Sequence, residues 1–331
     1  MLRLTSTFKS TSQARNIRRT ISTVPNAYFD RPRRSYLYVP ASSDRMLNKS
    51  LQTDADTIIY DLEDSVAPAS KSTARSGLVD FLQSSSHLPP RDRVAVRVND
   101  FTTENFAFDI EALKTIHKHV STIVIPKVED LGPFESIAGH SWNVVASIES
   151  AASMWNIGNI ASWNKRNVGS SVSLVALLFA AEDYCATASI QRSRSRLELL
   201  YPRSQMVTAA KAFGLHAIDM VNVNYQDEEY MRDECEDGRR LGFDGKQAIH
   251  PSQVALINKI YAPSEQAILR AAKIVHHMRR FHEFGSGAFG LTLEGDSKGR
   301  KEMIDAPMLK QAEQILKMAE VAGLKIPDLD H

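Results

Sequence analysis

From residue 34 onward the chain alternates short apolar runs with amphipathic stretches. Runs at 35–39, 57–62, 94–98, 122–126, 143–148, 174–180, 216–222 and 247–249 read as β-strands, each followed by a segment able to form a helix. Eight β–α units with no G-x-G-x-x-G after the first strand predict a (β/α)8 TIM barrel rather than a doubly wound sheet. Helical periodicity is clearest at 105–118, where Phe108, Leu113 and Ile116 are expected on one buried face, and at 191–213, where Leu197, Leu200, Val207 and Ala210 recur. Polar, breaker-rich stretches at 84–90 and 163–173 read as connections.

Beyond Pro251 the pattern changes. A helix near 264–282 precedes a Gly-rich stretch at 285–290, a strand-like 291–293, a charged loop up to Lys301 and a helix over 307–321. The expected organisation is a barrel over 30–260 and a C-terminal helical appendage over 261–331, serving as a lid over its own or a neighbouring active site and in oligomerisation.

Residues 1–29 stand apart. They contain Arg3, Lys9, Arg15, Arg18 and Arg19, many Ser and Thr, and no acid. That composition predicts a disordered mitochondrial presequence, and hence a matrix protein, over the alternative of a plain basic tail. The whole chain carries 40 Lys plus Arg against 39 Asp plus Glu; without the leader the balance is 35 to 39. No global field or basic stripe argues for nucleic acid or an anionic membrane. No apolar run approaches the length of a bilayer span. Cys185 and Cys235 lack metal-site or disulfide-framework spacing and read as core or surface residues.

Barrel enzymes place their chemistry at the C-terminal ends of the strands. Here those ends carry Tyr38, then Asp61, Glu63 and Asp64, then Arg97 and Asn99, then Lys127 and Glu129, then Glu149, Glu182 with Asp183, Asn222, and His250. A ring of acids at one mouth is costly unless something pairs it. Mg2+ takes one or two carboxylates plus waters and substrate oxygens, and Glu149 and Asp183, each following a strongly apolar strand, form the expected metal pair. Each has a plainer reading, as an acid beside or at a helix N-cap. Glu63 and Asp64 are expected to support the metal pair from behind, with the plainer reading that Glu63 simply pairs with Lys71, Arg75 or Arg97. Arg97 lies in an apolar run and needs a counter-anion, either the acidic rim or, by preference, a substrate carboxylate. His250 reads as a general base or, more plainly, as a packed, hydrogen-bonding residue.

Several motifs, in order, carry a resemblance: R-S-Y-L-Y-V-P-A-S-S-D-R-M from Arg34, I-I-Y-D-L-E-D-S-V from Ile58, Arg97 to Asn99, I-P-K-V-E from Ile125, S-I-E-S from Ser147, Glu182 to Tyr184, and G-F-D-G-K-Q-A-I-H-P from Gly242. The chain resembles the citrate lyase β-subunit-like family of the HpcH/HpaI aldolase superfamily. With the leader and M-I-D-A-P-M-L-K-Q-A from Met303 it is most similar to the mitochondrial citramalyl-CoA lyase branch. Ala41 and Ala181 stand where the family commonly has Gly.

The resemblance implies a TIM barrel, a homotrimer, Mg2+, and reversible cleavage of a 3-hydroxyacyl-CoA into acetyl-CoA and a 2-oxo acid. It implies Glu149 and Asp183 as metal ligands, and Arg97 as a substrate contact. Tyr38, Arg45, Lys49, Ile249 and His250 would line the substrate or CoA pocket. Asp305 would be the catalytic acid/base, acting in the adjacent subunit's site; from the residues alone Asp305 reads first as the N-cap of the helix from Pro307. Malyl-CoA or citryl-CoA lyase chemistry, a malate-synthase-like condensation with thioester hydrolysis, and a catalytically silent family member are the alternatives.

Overall fold

The computed structural model describes residues 26–283, 289–292 and 301–329. Eight parallel strands close into one barrel in sequence order: β1 Ser35–Pro40, β2 Thr57–Asp61, β3 Val94–Arg97, β4 Thr122–Ile125, β5 Trp142–Ile148, β6 Val172–Phe179, β7 His216–Asp219 and β8 Gly245–Ala248. All eight expected strands are present. β8 begins two residues earlier than its apolar run, because Gly245 lets β8 meet β1 closely; a Cβ there would stand 2.3 Å from the Arg33 carbonyl oxygen.

Side chains alternate along each strand, so every second residue points into the barrel. Tyr36, Ile59, Ala95, Val124, Val145 and Leu178 fill the lower interior. One step further up the same rows stand Tyr38, Asp61 and Arg97, and two steps above Val145 stands Glu149. The outward residues pack under the helices in a separate and larger core.

The helix Glu104–Thr115 buries Phe106, Ile110 and Leu113 at helical spacing, while Phe108 is exposed and lies under the Arg75 guanidinium at 5.4 Å. The expected face is thus rotated, because Asp109 is drawn inward by hydrogen bonds from Arg75 and Asn99. The stretch 191–213 is helical only over Leu200–Phe213, with a 3-10 turn at Leu197–Leu199. Arg196 there is left-handed, so Leu197 and Leu200 stay exposed while Val207 and Ala210 are buried. The expected connection at 163–173 holds a short helix, Trp163–Arg166, anchored by the buried Trp163 ring.

The N-terminal boundary falls inside the span expected to be leader. Ala27–Asp30 form a 3-10 turn capped by Asn26. Tyr28 is 1% exposed, shares a 2.5 Å hydrogen bond with Tyr36, and closes the floor of the barrel interior. Residues 1–25 lie outside the described residues, and with them the remainder of the expected presequence.

After helix Val254–Tyr261 the chain leaves the barrel as an arm. Helix Glu265–Glu283 packs on helix Ala306–Val321 and on β9, Phe289–Thr292, which pairs antiparallel with β10, Lys301–Ile304. The arm has its own core of Ala271, Ile274, Val275, Met278, Ile304 and Ala312. The end of its second helix, at Lys317, Met318, Val321 and Ala322, borders a cavity of about 210 Å³ shared with Phe29, Arg33 and His216 at the floor. Most of the Gly-rich stretch and charged loop lies outside the described residues.

Candidate active site

Asp61 and Arg97 occupy paired positions on β2 and β3. Arg97 donates from Nε and Nη2 to the two Asp61 carboxylate oxygens, each at 2.7 Å. Its Nη1 lies 2.9 Å from Glu63 Oε2 and 3.2 Å from Asp64 Oδ2, and its guanidinium stands 4.8 Å over the Tyr38 ring. The acidic rim is therefore Arg97's counter-anion in this structure, with Asp61, absent from the expected site, as its main partner. The signal was available: Asp61 is the inward residue one step above Ile59, opposite the only cation in the next strand.

Glu63 is 4% exposed and shared between two cations, since Lys127 Nζ donates to its Oε1 at 3.0 Å. Of the partners expected for it, only Arg97 binds its carboxylate: Lys71 donates to the Leu62 and Glu63 backbone oxygens, and Arg75 to Asp109. Lys127 adopts φ 51°, a left-handed conformation rare outside glycine.

Burial sets the carboxyl acidities at this mouth. Burial raises the Asp61 carboxyl, but hydrogen bonds from Arg97 outweigh it and hold the group below its ordinary range. Glu63 is raised to about 7, by burial and by the neighbouring Asp64 charge, with Arg97 opposing. Glu149, 5% exposed, is raised by burial and by repulsion from Asp183; Asp183 is raised by burial and by Asp64. Arg97 and Lys127 act on both in the opposite sense.

Glu149 sits directly beside a helix N-cap, as its plainer reading had it, and Asp183 is not itself a cap. Ser150 caps the helix after β5, in a reciprocal capping box with Ser153, leaving the Glu149 carboxylate free of that duty. Asp183 lies in the first turn of helix Ala181–Ala188, whose cap is Ala180. Among the described residues no group of three or more His, Cys, Asp and Glu is gathered for a metal. The two oxygen donors suit a hard cation that completes its shell with water and substrate.

The remaining expected residues divide. Tyr38 reaches Gln247 Oε1 at 3.2 Å, and burial raises its phenol. Ile249 and His250 are exposed at the end of β8. The His250 Nδ1 lies 2.7 Å from Ser252 Oγ, and its ring stacks on Tyr225 at 4.7 Å. Arg45 and Lys49 project, exposed, from helix Asp44–Ser50 just past β1, four residues apart. Asp305 is the N-cap of helix Ala306–Val321, accepting from Met308 N at 3.2 Å. Among the described residues no hydrogen bond or ion pair joins it to the mouth. Cys185 and Cys235 are free and buried.

Comparison with known proteins accords with this arrangement. The family model described as HpcH/HpaI aldolase/citrate lyase matches residues 34–251. The human mitochondrial citramalyl-CoA lyase is 31% identical over 302 residues, covering 87% of this chain and 86% of its own. The citrate lyase subunit beta of Leuconostoc mesenteroides subsp. cremoris is 30% identical, covering 89% and 96%. Among solved structures, CitE from Mycobacterium tuberculosis in complex with magnesium, acetoacetate and coenzyme A superposes with a TM-score of 0.69 at 30% identity, covering 88% of this chain and 99% of that one. A citrate lyase beta subunit from the same organism, complexed with oxaloacetate and magnesium, gives 0.59 at 30% identity over 72% and 100%. A match over most of the barrel, with relatives at this identity along both chains, makes this chain a lyase of the HpcH/HpaI aldolase/citrate lyase family.

Proposed function

We propose that the protein is a Mg2+-dependent carbon–carbon lyase that cleaves a 3-hydroxyacyl-CoA of the citramalyl-CoA type, reversibly, into acetyl-CoA and pyruvate. The observation that carries this reading is the Glu149–Asp183 pair, two mutually repelling carboxylates held at the mouth of a barrel whose relatives are CoA-ester and citrate lyases. Both are oxygen donors, and among the described residues the neighbouring cations Arg97 and Lys127 form their ion pairs with other acids than Glu149, which fits a hard divalent ion there. Glu149 and Asp183 would hold Mg2+, which when bound supplies Lewis acidity toward the oxygens of the oxo-acid fragment. Glu63 and Asp64 support the site through Arg97 and Lys127 rather than through the metal.

In cleavage the hydroxyl releases its proton to water at the open mouth as its carbon becomes a carbonyl. The electron pair of the broken bond passes to the α-carbon of the acetyl thioester, which must then be protonated. Asp305 of an adjacent subunit supplies that proton, and in the condensation direction it is the base. The arm supports action across subunits: it joins the barrel beside Tyr261–Pro263 at the floor and has its own core, with Asp305 at the start of its second helix and the floor cavity at that helix's end. A homotrimer satisfies this arrangement by passing each arm to a neighbour. Arg97 orients and screens the substrate oxygen that gains charge. Tyr38, Ile249 and His250 line the pocket, and Arg45 and Lys49 meet CoA phosphates.

Residues 1–25 would be the leader that directs the protein to the mitochondrial matrix. The citramalyl-CoA lyases of human, rat and mouse that it resembles are mitochondrial. Near-equal likeness to citrate lyase β subunits leaves citryl-CoA, with malyl-CoA, as the second reading.

One assay decides between them. Protein beginning at residue 26 is incubated with citramalyl-CoA and Mg2+, and acetyl-CoA and pyruvate are followed against an EDTA control. Magnesium-dependent release of both is expected, faster than acetyl-CoA release from malyl-CoA or citryl-CoA. Preference for either of those would replace the substrate, and no cleavage of any of them by folded protein would sink the lyase reading.

A further inference from the structure

We infer that Lys127 is a substrate-contacting residue, the cation that meets the carboxylate of the 2-oxo-acid fragment. The assignment rests on the lyase reading and adds to it a residue that the expected site lacked.

Arg97 is only 14% exposed at its side chain, and Asp61, Glu63 and Asp64 engage all three of its nitrogens, leaving one Nη2 N–H for the reacting substrate oxygen and none for a second carboxylate. Lys127 stands beside it at the same mouth with a side chain 47% exposed. Its ammonium donates to Glu63 Oε1 at 3.0 Å and lies 3.7 Å from Asp100 Oδ2, which leaves a third N–H open to solvent. It also stands beside the end of β5, since the next residue, Val128, donates from its backbone N–H to the Ser147 carbonyl at 3.3 Å, two residues before Glu149. An oxo acid whose keto end sits at the Glu149–Asp183 pair therefore has an unspent positive charge within reach of its carboxylate.

The backbone supplies the second, independent observation. Lys127 follows β4 directly after Pro126 and holds φ 51°. Glycine would adopt this conformation freely, whereas a lysine there is strained. Folding stability alone favours glycine at such a point, so the charged side chain is what the position retains. The bend aims the residue back over Glu63. A flexible stem and a localised ammonium can then leave the Glu63 contact for an incoming carboxylate, which Arg97, fixed by its Asp61 pair, cannot do.

The test measures pyruvate affinity in the presence of Mg2+ by calorimetry, in the protein beginning at residue 26 and in Lys127→Met, Lys127→Arg and Lys127→Gly. Mn2+ affinity is measured alongside by electron paramagnetic resonance. Lys127→Met is expected to weaken pyruvate at least tenfold and to lower kcat/KM for the CoA ester at least as much, with Mn2+ affinity held within threefold. Lys127→Arg should recover part of the loss. Lys127→Gly should melt higher than wild type while binding pyruvate as poorly as Lys127→Met, a combination that a purely structural lysine would not give. Unchanged pyruvate affinity in Lys127→Met, with wild type active, overturns the assignment and leaves the lyase standing. Parallel loss of Mn2+ also overturns it, because Lys127 would then act by building the metal pair. A wild-type protein that neither cleaves a hydroxyacyl-CoA nor binds pyruvate brings down the lyase reading and this inference together.

Discussion

Asp61 and Arg97 face each other across the β2–β3 ladder, and Arg97 donates two parallel hydrogen bonds of 2.7 Å to the Asp61 carboxylate, which is 1% exposed. A buried guanidinium that loses its main partner is left with an uncompensated charge. Asp61→Ala should therefore cost about 3–5 kcal/mol of stability, the range for breaking a buried pair. Asp61→Asn, which keeps the shape and one acceptor, should cost less yet still impair turnover by loosening Arg97. Urea denaturation with both variants checks this, and a cost below about 1 kcal/mol for Asp61→Ala would show that Glu63 and Asp64 suffice to hold Arg97.

Glu63 gives the site a pH signature. Its carboxyl is raised to about 7 by burial and by Asp64, above its ordinary value near 4.5. The folded state therefore binds this proton more tightly than the unfolded chain does. The stability it contributes is fully present below about pH 4.5 and is lost as pH rises through 7. Glu63→Gln should flatten the decline in metal-free stability between those limits. An unchanged slope in the variant would assign the decline to another group.

Glu149 and Asp183, as the proposed metal pair, make a prediction of opposite sign for stability and function. Glu149 is raised by burial and by Asp183, so without a cation the charged pair opposes folding. Mg2+ should raise Tm of the wild type, and EDTA should reverse the rise. Glu149→Gln should melt higher than metal-free wild type, lose the Mg2+-induced rise, and lose activity by orders of magnitude. A variant that still responds to Mg2+ would move the metal to other carboxylates of the mouth.

How much of this was legible in the residues depends on whether a position's partner is near in sequence. The eight strands were readable because strands buried on both faces leave apolar runs that need no long-range information. The position of Glu149 and Asp183 at the mouth was readable for a related reason: an acid just after such a run has nowhere to sit but the rim. Asp61 and Lys127 were not singled out, because what distinguishes them is a partner 36 or 64 residues away. Phe108 was misplaced because apolar spacing alone cannot show that Asp109 is pulled inward by Arg75 and Asn99. Tyr28 was hidden inside an acid-free segment whose composition reads as leader up to the residue before Asp30.

The position of Tyr28 determines where the protein can be truncated. Its ring fills the barrel floor against Tyr36, and Phe29 stacks on His216 at 5.1 Å. Protein beginning at residue 26 should melt as the full chain does, whereas protein beginning at residue 30 loses a buried aromatic and should be weaker by about 3 kcal/mol or more. Equal melting of the two would mean that the floor packs without the plug. A leader cleaved at or before residue 25 is the corresponding expectation for the mature N-terminus, checked by mass spectrometry of the organellar protein.

Asp305 provides the most direct test of action across subunits. As N-cap of its helix it can be replaced by Asn, which caps equally well, so Asp305→Asn should keep Tm and Mg2+ binding. On the proposed role of Asp305 as the proton-transfer group, the substitution should lower kcat by about 10²–10⁴. Glu149→Gln should be equally inactive while retaining a sound arm. If each site combines the mouth of one chain with the arm of another, dissociating and reassembling equal amounts of the two inactive variants creates sites that pair an intact mouth with an intact arm. Random assembly of a ring should then restore about a quarter of wild-type specific activity, by the symmetry of a head-to-tail oligomer. If Asp305 serves its own barrel, every site in the mixture carries one defect and no activity returns. The arm's separate core and its attachment at the floor, opposite the mouth, favour recovery.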